Sequence, residues 1–311
     1  MIAEASQAGV SPLNVGSLLG FFSASATFIG SVASLSGLIV GALDIPVIYD
    51  RAKPILDEPL EALPEQDELI NFNGSIRFDR VSYRYDTSLP LVLDKLSFDL
   101  PAGGYLALVG PSGSGKSTIV RLLLGFAQPE QGSISYDSRP FSSLKPESVR
   151  RNIGAVLQTS SLFSGSIMEA IAGGAIISEN DVWDAAEKVG LADDIKQMPM
   201  GLQTVIPDGG GTLSGGQCQR VAIARAIARK PRLLIFDEAT SALDNKTQAI
   251  VSQTLDKLNV TRIVIAHRLS TIENADQILY LEDGQCKEIG TYDSLLELKG
   301  RFYRLVQRQL T

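Results

Sequence analysis

The chain is short of the residues that build redox, metal and nucleic-acid sites. Its 311 residues include two cysteines, Cys218 and Cys286, and a single histidine, His267. The cysteines form no spaced metal-ligand pattern and no disulfide framework, which fits packing residues in a reducing cytosol. Basic side chains are outnumbered. Lys and Arg total 28 against 35 Asp and Glu, a formal net charge of −7. That argues against a dedicated nucleic-acid binder, whose phosphate contacts need a basic face. There is no internal repeat and no low-complexity tract. Hydrophobic content of 44% with 20% charged residues is that of a globular chain, which excludes wholesale disorder. The length allows one large domain or two ordinary ones.

Charge is missing altogether between Glu4 and Asp44, and Val15 to Leu43 is an unbroken run of apolar and small residues. A helix rises ~1.5 Å per residue, so about 20 such residues cross a ~30 Å hydrocarbon core. The many Ser, Ala and Gly residues suit close helix–helix contact in a bilayer. A signal peptide would have a basic start and a shorter apolar core. A buried soluble helix is the competing reading, since small residues temper the hydrophobicity. Arg51 and Lys53 follow, as expected on the cytoplasmic side of a span. One span cannot line a pathway, so further membrane sequence upstream or a separate membrane subunit is expected. Pro46, Pro54, Pro59 and Pro64 then punctuate an acidic stretch, which marks a linker. The expected division is 1–56 for the end of a membrane domain (membrane helix about 15–43, then a cytoplasmic extension), 57–72 for the linker, and 73–311 for a soluble domain.

From Ser75 short β runs alternate with helical stretches. SIRFDRVSYRY and LDKLSFDL alternate apolar and polar residues, whereas YLALVG, LLIFD and RIVIAH are near-continuous apolar runs of strands covered on both faces. Helical patterns lie between them: STIVRLLLGF, QRVAIARAIARK and TQAIVSQTLDKL. The fold class is therefore α/β with a mostly parallel central sheet, whose ligands bind at the carboxyl ends of the strands.

Two motifs fall at such ends. Gly110, Pro111, Ser112, Gly113, Ser114, Gly115, Lys116, Ser117 and Thr118 match G-x-x-x-x-G-K-[ST] between a strand and a helix. The glycines let backbone N–H groups wrap a phosphate chain, and the helix start adds partial positive charge. Lys116 is expected on the β- and γ-phosphates of ATP and Ser117 on Mg²⁺. LLIFDE then puts Asp237 beside the Mg²⁺ and Glu238 where it can polarise an attacking water.

Leu213, Ser214, Gly215, Gly216 and Gln217 read LSGGQ, just before the DE strand and at the start of the helix QCQRVAIARAIARK. With the phosphate loop this resembles the ATP-binding cassette of ABC transporters, a P-loop NTPase with an antiparallel β subdomain and a helical subdomain, here about 159–230. The resemblance covers 73–311, and the apolar helix and linker look like the end of an exporter membrane domain. It implies that Tyr85 stacks on adenine, that Gln158 touches Mg²⁺ and relays contact with the membrane domain, and that His267 meets the γ-phosphate. Ser241-Ala242-Leu243-Asp244 resembles the loop that communicates across a cassette dimer. PDGGG before the signature is similar to an exporter loop that meets the membrane domain, with Asp208 where Glu is commoner. Cys218 stands where exporters often have Arg. The segments YDRAKPILDEPLE, RLLLGF, MPMGLQT, SALDNKTQAIV and IGTYDSLLELKG resemble the ATPase–permease subunits of leader-peptide (NHLP-type) bacteriocin exporters.

The resemblance implies an ATP hydrolase in the inner or plasma membrane with its ATPase domain cytoplasmic, powering export of a peptide or bacteriocin. ATP on Gly110–Thr118 would be covered by Ser214–Gln217 of a second cassette, in a homodimer or heterodimer. Alternatives are an exporter of lipid or drug-like cargo, a soluble non-transport ABC ATPase, and a nucleotide-binding module that does not hydrolyse.

Overall fold

The computed structural model describes residues 14–58, 61, 65–158, 162–207, 211–237, 243–266 and 268–310. The chain divides into two compact units, Met1–Glu61 and Ala62–Thr311.

Among its described residues the first unit holds one long helix, α1 (Val15–Leu56), started by Asn14, whose side chain accepts from the Gly16 amide. It is long because nothing before Pro46 breaks it, and it continues through Pro46 and Pro54 to Leu56. The hydroxyls of Thr27, Ser31, Ser34 and Ser36 donate to the carbonyl four residues back at 2.9–3.0 Å. Their polarity is thereby satisfied within the helix, the condition for lying in hydrocarbon. No residue of α1 is buried. Its length and composition suffice to cross a membrane. At ~1.5 Å per residue it extends roughly 63 Å, about twice a hydrocarbon core.

The second unit is α/β, as the alternation of strand and helix patterns predicts. Six strands form the central sheet: β3 (Tyr105–Val109), β6 (Ile153–Val156), β9 (Leu233–Asp237), β10 (Thr261–Ile265), β11 (Gln277–Glu282) and β12 (Gln285–Gly290). Their order is β12-β11-β3-β10-β9-β6, parallel except for the β11–β12 hairpin. A separate antiparallel sheet contains β1 (Ile76–Tyr83), β2 (Leu93–Leu100), β4 (Gln131–Tyr136) and β5 (Arg139–Pro140), in the order β2-β1-β4-β5. A short pair, β7 (Gly165–Ser166) with β8 (Val205–Ile206), lies in the helical region. The helices are α2 (Lys116–Leu123), α3 (Pro146–Arg151), α4 (Ile167–Ala172), α5 (Glu179–Lys188), α6 (Ala192–Gln197), α7 (Gly215–Ala228), α8 (Asn245–Lys257), α9 (Leu269–Ile272), α10 (Tyr292–Glu297) and α11 (Arg301–Leu310).

Side chains of the central strands alternate between cores, and this explains their continuous apolar sequences. On β3, Leu106 and Leu108 enter a first core with α2 and the antiparallel sheet, while Tyr105, Ala107 and Val109 enter another with α10 and α11. On β9, Leu233 and Ile235 join the first core, and Leu234 and Phe236 pack on α4 to α7. A period of two with both faces covered leaves no polar position. Each such Leu or Ile contributes ~1.5–3 kcal/mol of burial. Leu69 and Phe72 are also buried in the first core, so the chain is anchored ahead of β1. Helix α2 stops at Leu123 rather than reaching Phe126. Gly125 has φ +73°, and a Cβ there would lie 2.5 Å from the Phe141 ring.

Candidate nucleotide site

The first motif is the turn between β3 and α2. Gly110 has φ +146°, and a Cβ on it would fall 2.0 Å from the Leu281 carbonyl oxygen, so only glycine lets the turn pass β11. Gly115, at φ +107°, is the residue before α2 and offers it no side-chain cap. Lys116 is 7% exposed. Its ammonium donates to the carbonyls of Gly110 (3.0 Å) and Pro111 (2.8 Å) and lies 3.5 Å from the Ser114 hydroxyl. The loop is thus folded around a cation.

β9 ends on Asp237, buried at 7% exposure. β9 and β3 flank β10, so their carboxyl ends share one edge of the sheet. The Ser117 hydroxyl donates to Asp237 Oδ2 at 3.3 Å, joining two of the three predicted Mg²⁺ ligands directly. Hydroxyl and carboxylate oxygens are the hard donors that Mg²⁺ prefers, so this pair fits the ion. Gln158 follows β6, which pairs with β9 and ends beside Phe236. Tyr85 lies beyond β1, half exposed, and its hydroxyl shares a hydrogen bond of 3.1 Å with Thr118 Oγ1. The Tyr83 ring meets it edge-on at 5.2 Å, and the Arg121 guanidinium stands 5.7 Å above it. Sequence reasoning missed Thr118 and Arg121 as supports for that ring, because only the fold brings β1 to α2. Glu238, His267, Ser241, Ala242 and Asp208 lie outside the described residues.

The signature segment is built on a different core. Helix α7 starts at Gly215, two residues before the predicted start, because Ser214 caps it. Ser214 Oγ accepts from the Gln217 amide at 3.2 Å, and Gln217 Oε1 accepts from the Ser214 amide at 2.9 Å. The spacing S-x-x-Q is a readable signal for this reciprocal box. Leu213 packs on the α4–α7 core, and Ser214 and Gly215 are exposed. Gln217 Nε2 donates to Asp194 Oδ1 at 2.9 Å, and Arg220 donates to Asp194 Oδ2 at 2.8 Å. No sequence signal links residues so far apart. Asp244 caps α8 by accepting from the Thr247 amide, and the Thr247 side chain, then that amide, hold its carboxyl below the usual range. Burial raises the thiols of Cys218 and Cys286 above their ordinary value, which keeps both protonated.

Neither α2 nor α7 carries an acidic residue in its first turn, a feature they share with α1, α8, α9 and α11. A partial positive helix end without a neighbouring carboxylate is compatible with an anion.

A family profile described as ABC transporter matches residues 93–241. The chain is 38% identical over 301 residues to the toxin RTX-III translocation ATP-binding protein of Actinobacillus pleuropneumoniae, covering 96% of this chain and 42% of the relative. It is 41% identical over 281 residues to ABC transporter B family member 13 of Arabidopsis thaliana, covering 89% of this chain and 23% of that one. The structure of a bacterial Atm1-family ABC exporter with ATP bound superposes with a TM-score of 0.81 at 38% identity, over 87% of this chain and 47% of the other. The chain thus spans under half the length of these relatives. With the glycine loop, the carboxylate at the end of β9 and the LSGGQ helix start in place, residues 93–241 form the ABC transporter ATP-binding domain that the profile describes, an ATP-hydrolysing domain similar to the cassettes of exporters.

Proposed function

We propose that this cassette couples ATP binding and hydrolysis to export across a membrane. The observation that carries the reading is the meeting of Lys116, Ser117 and Asp237 at the glycine loop, with the hydroxyl 3.3 Å from the carboxylate. Lys116 exchanges loop oxygens for the β- and γ-phosphate oxygens, and the amides of Gly110–Thr118 orient the chain of phosphates. Ser117, Gln158 and Asp237 hold Mg²⁺, which when bound neutralises phosphate charge. Tyr85 stacks on adenine, Glu238 polarises the attacking water, and His267 contacts the γ-phosphate. Leu213–Gln217 of a second cassette, identical or not, covers the nucleotide, and Asp244 lies in the loop through which the two communicate.

Residues 1–56 are read as the end of a transmembrane domain, 57–72 as linker and 73–311 as cassette, with the cassette on the cytoplasmic side. A pathway needs more spans than α1 provides, and a membrane domain acting with this cassette supplies them. For cargo, the likeness to leader-peptide bacteriocin exporters and the toxin translocation named for one relative favour a peptide over a lipid or drug-like molecule.

The test is steady-state Mg²⁺-ATPase activity of the detergent-purified chain beside Glu238→Gln, over a range of protein concentrations. Specific activity should rise with concentration and fall by about two orders of magnitude or more in the variant. A profile flat with concentration would refute the shared site. Activity unchanged in the variant would remove Glu238 from its role.

A further inference from the structure

We infer that Asp194 is a positioning residue for the signature helix: by holding Gln217 and Arg220 it sets the orientation in which Ser214–Gly216 meet nucleotide. The inference rests on the reading of that segment as a nucleotide contact.

The geometry turns on the Gln217 amide, which has a donor end and an acceptor end. Its acceptor end takes the Ser214 amide and its donor end meets Asp194 Oδ1. Turned over, the amide would place oxygen against carboxylate and NH₂ against N–H, and both bonds would be lost. An acceptor-only carboxylate at position 194 thus selects the rotamer that closes the capping box. Its other oxygen engages Arg220 Nη1, whose side chain is only 14% exposed and also donates to the Gly190 carbonyl. Gln217 and Arg220 are three residues apart and hence neighbours on α7. One carboxylate in the first turn of α6 therefore clamps the first two turns of α7 and the chain after α5. Burial works against its charge, but the bonds from Arg220 and Gln217 outweigh that and hold the carboxyl below its ordinary value. It is ionised at neutral pH, as an acceptor-only role requires. The Arg220 charge also helps to hold down Asp244, after the Thr247 bonds, so the same guanidinium is felt at the start of α8.

The experiment uses the full chain in detergent with Asp194→Ala, Asp194→Asn and, as a control on the signature itself, Ser214→Arg. Amide hydrogen exchange is followed at Ser214 and Gln217 and across β9. In Asp194→Ala, exchange at the two box amides should rise about fivefold or more while β9 stays as in the parent. Asp194→Asn, which keeps an acceptor for Gln217, should recover most of the protection. ATPase activity should drop about tenfold in Asp194→Ala, with the affinity for a fluorescent ATP analogue within about twofold of the parent. Unchanged exchange at Ser214 and Gln217, or a rise spread over β9 as well, would overturn the inference. So would parent-level turnover in Asp194→Ala if Ser214→Arg is inactive. Full activity in Ser214→Arg, or no turnover in the parent chain, would instead strike the reading of the site, and the exchange rates would still decide whether Asp194 holds the box.

Discussion

The helix that begins at Lys116 and the one that begins at Gly215 share a first turn without acidic residues, yet their caps are opposite. At α2 the preceding residue is a left-handed glycine with no side chain to spend on the orphan N–H groups, so they remain for a ligand. At α7 a serine and a glutamine close a reciprocal box, leaving the exposed glycine between them as the uncapped part. The first start is self-contained: its determinants are consecutive residues packed on the β subdomain core. The second depends on Asp194, 23 residues earlier, and packs on the helical core. The loop proposed to grip phosphate is fixed by its own backbone, while the segment proposed to cover it from a second cassette is fixed by side chains.

The largest effect expected from this difference is at the lysine. Lys116→Ala removes the ammonium around which the loop folds, and ATPase turnover should fall by roughly 10²–10³-fold, the scale of losing one strong charge-stabilising donor. Turnover within tenfold of the parent would mean that the backbone amides alone carry the site. Next comes the contrast between glycines. Gly110→Ala drives a Cβ to 2.0 Å from the Leu281 carbonyl at φ +146°, and should cost about 1–3 kcal/mol or more of stability. Gly215→Ala meets nothing within 4 Å, and should stay within about 0.5 kcal/mol. Thermal unfolding of the two variants side by side checks this. Equal losses would show that α7 is as tightly enclosed as the loop.

The same difference explains what could be read in advance. The glycine loop, Asp237 at the end of β9 and LSGGQ at a helix start were legible because each is a contiguous run whose physics is local. Alternating strands and helices were legible because β3 and β9 feed two cores at once and leave no polar position before Asp237. The helical pattern QCQRVAIARAIARK begins two residues inside α7, because the box formed by Ser214 and Gln217 sets the start. The pattern STIVRLLLGF runs three residues past the end of α2, because Gly125 stops the helix against Phe141, a contact made only in the fold. Asp194, Arg121 and the contact of Thr118 with Tyr85 are invisible in the sequence for a deeper reason. An aspartate on an amphipathic helix and a threonine in a helix are ordinary sequence, and only tertiary packing decides whom they touch.

The smallest effect is a pH dependence at α7, whose start is braced by the Asp194 carboxyl. The Asp194 carboxyl lies below its ordinary value in the folded chain. A carboxyl whose pKa is lower folded than unfolded adds stability that is complete above the unfolded value, about 3.9, and is lost as pH falls through the folded value. Arg220 stays charged throughout, so the change belongs to the carboxylate. Asp194→Asn should therefore unfold at lower temperature than the parent by a constant margin between about pH 5 and 8, with the margin shrinking below about pH 4. A margin that persists undiminished to about pH 3 would mean that the substitution acts through packing or amide orientation rather than charge. In that case Arg220 would be held by the Gly190 carbonyl as much as by Asp194, and the clamp on α7 would be a matter of shape.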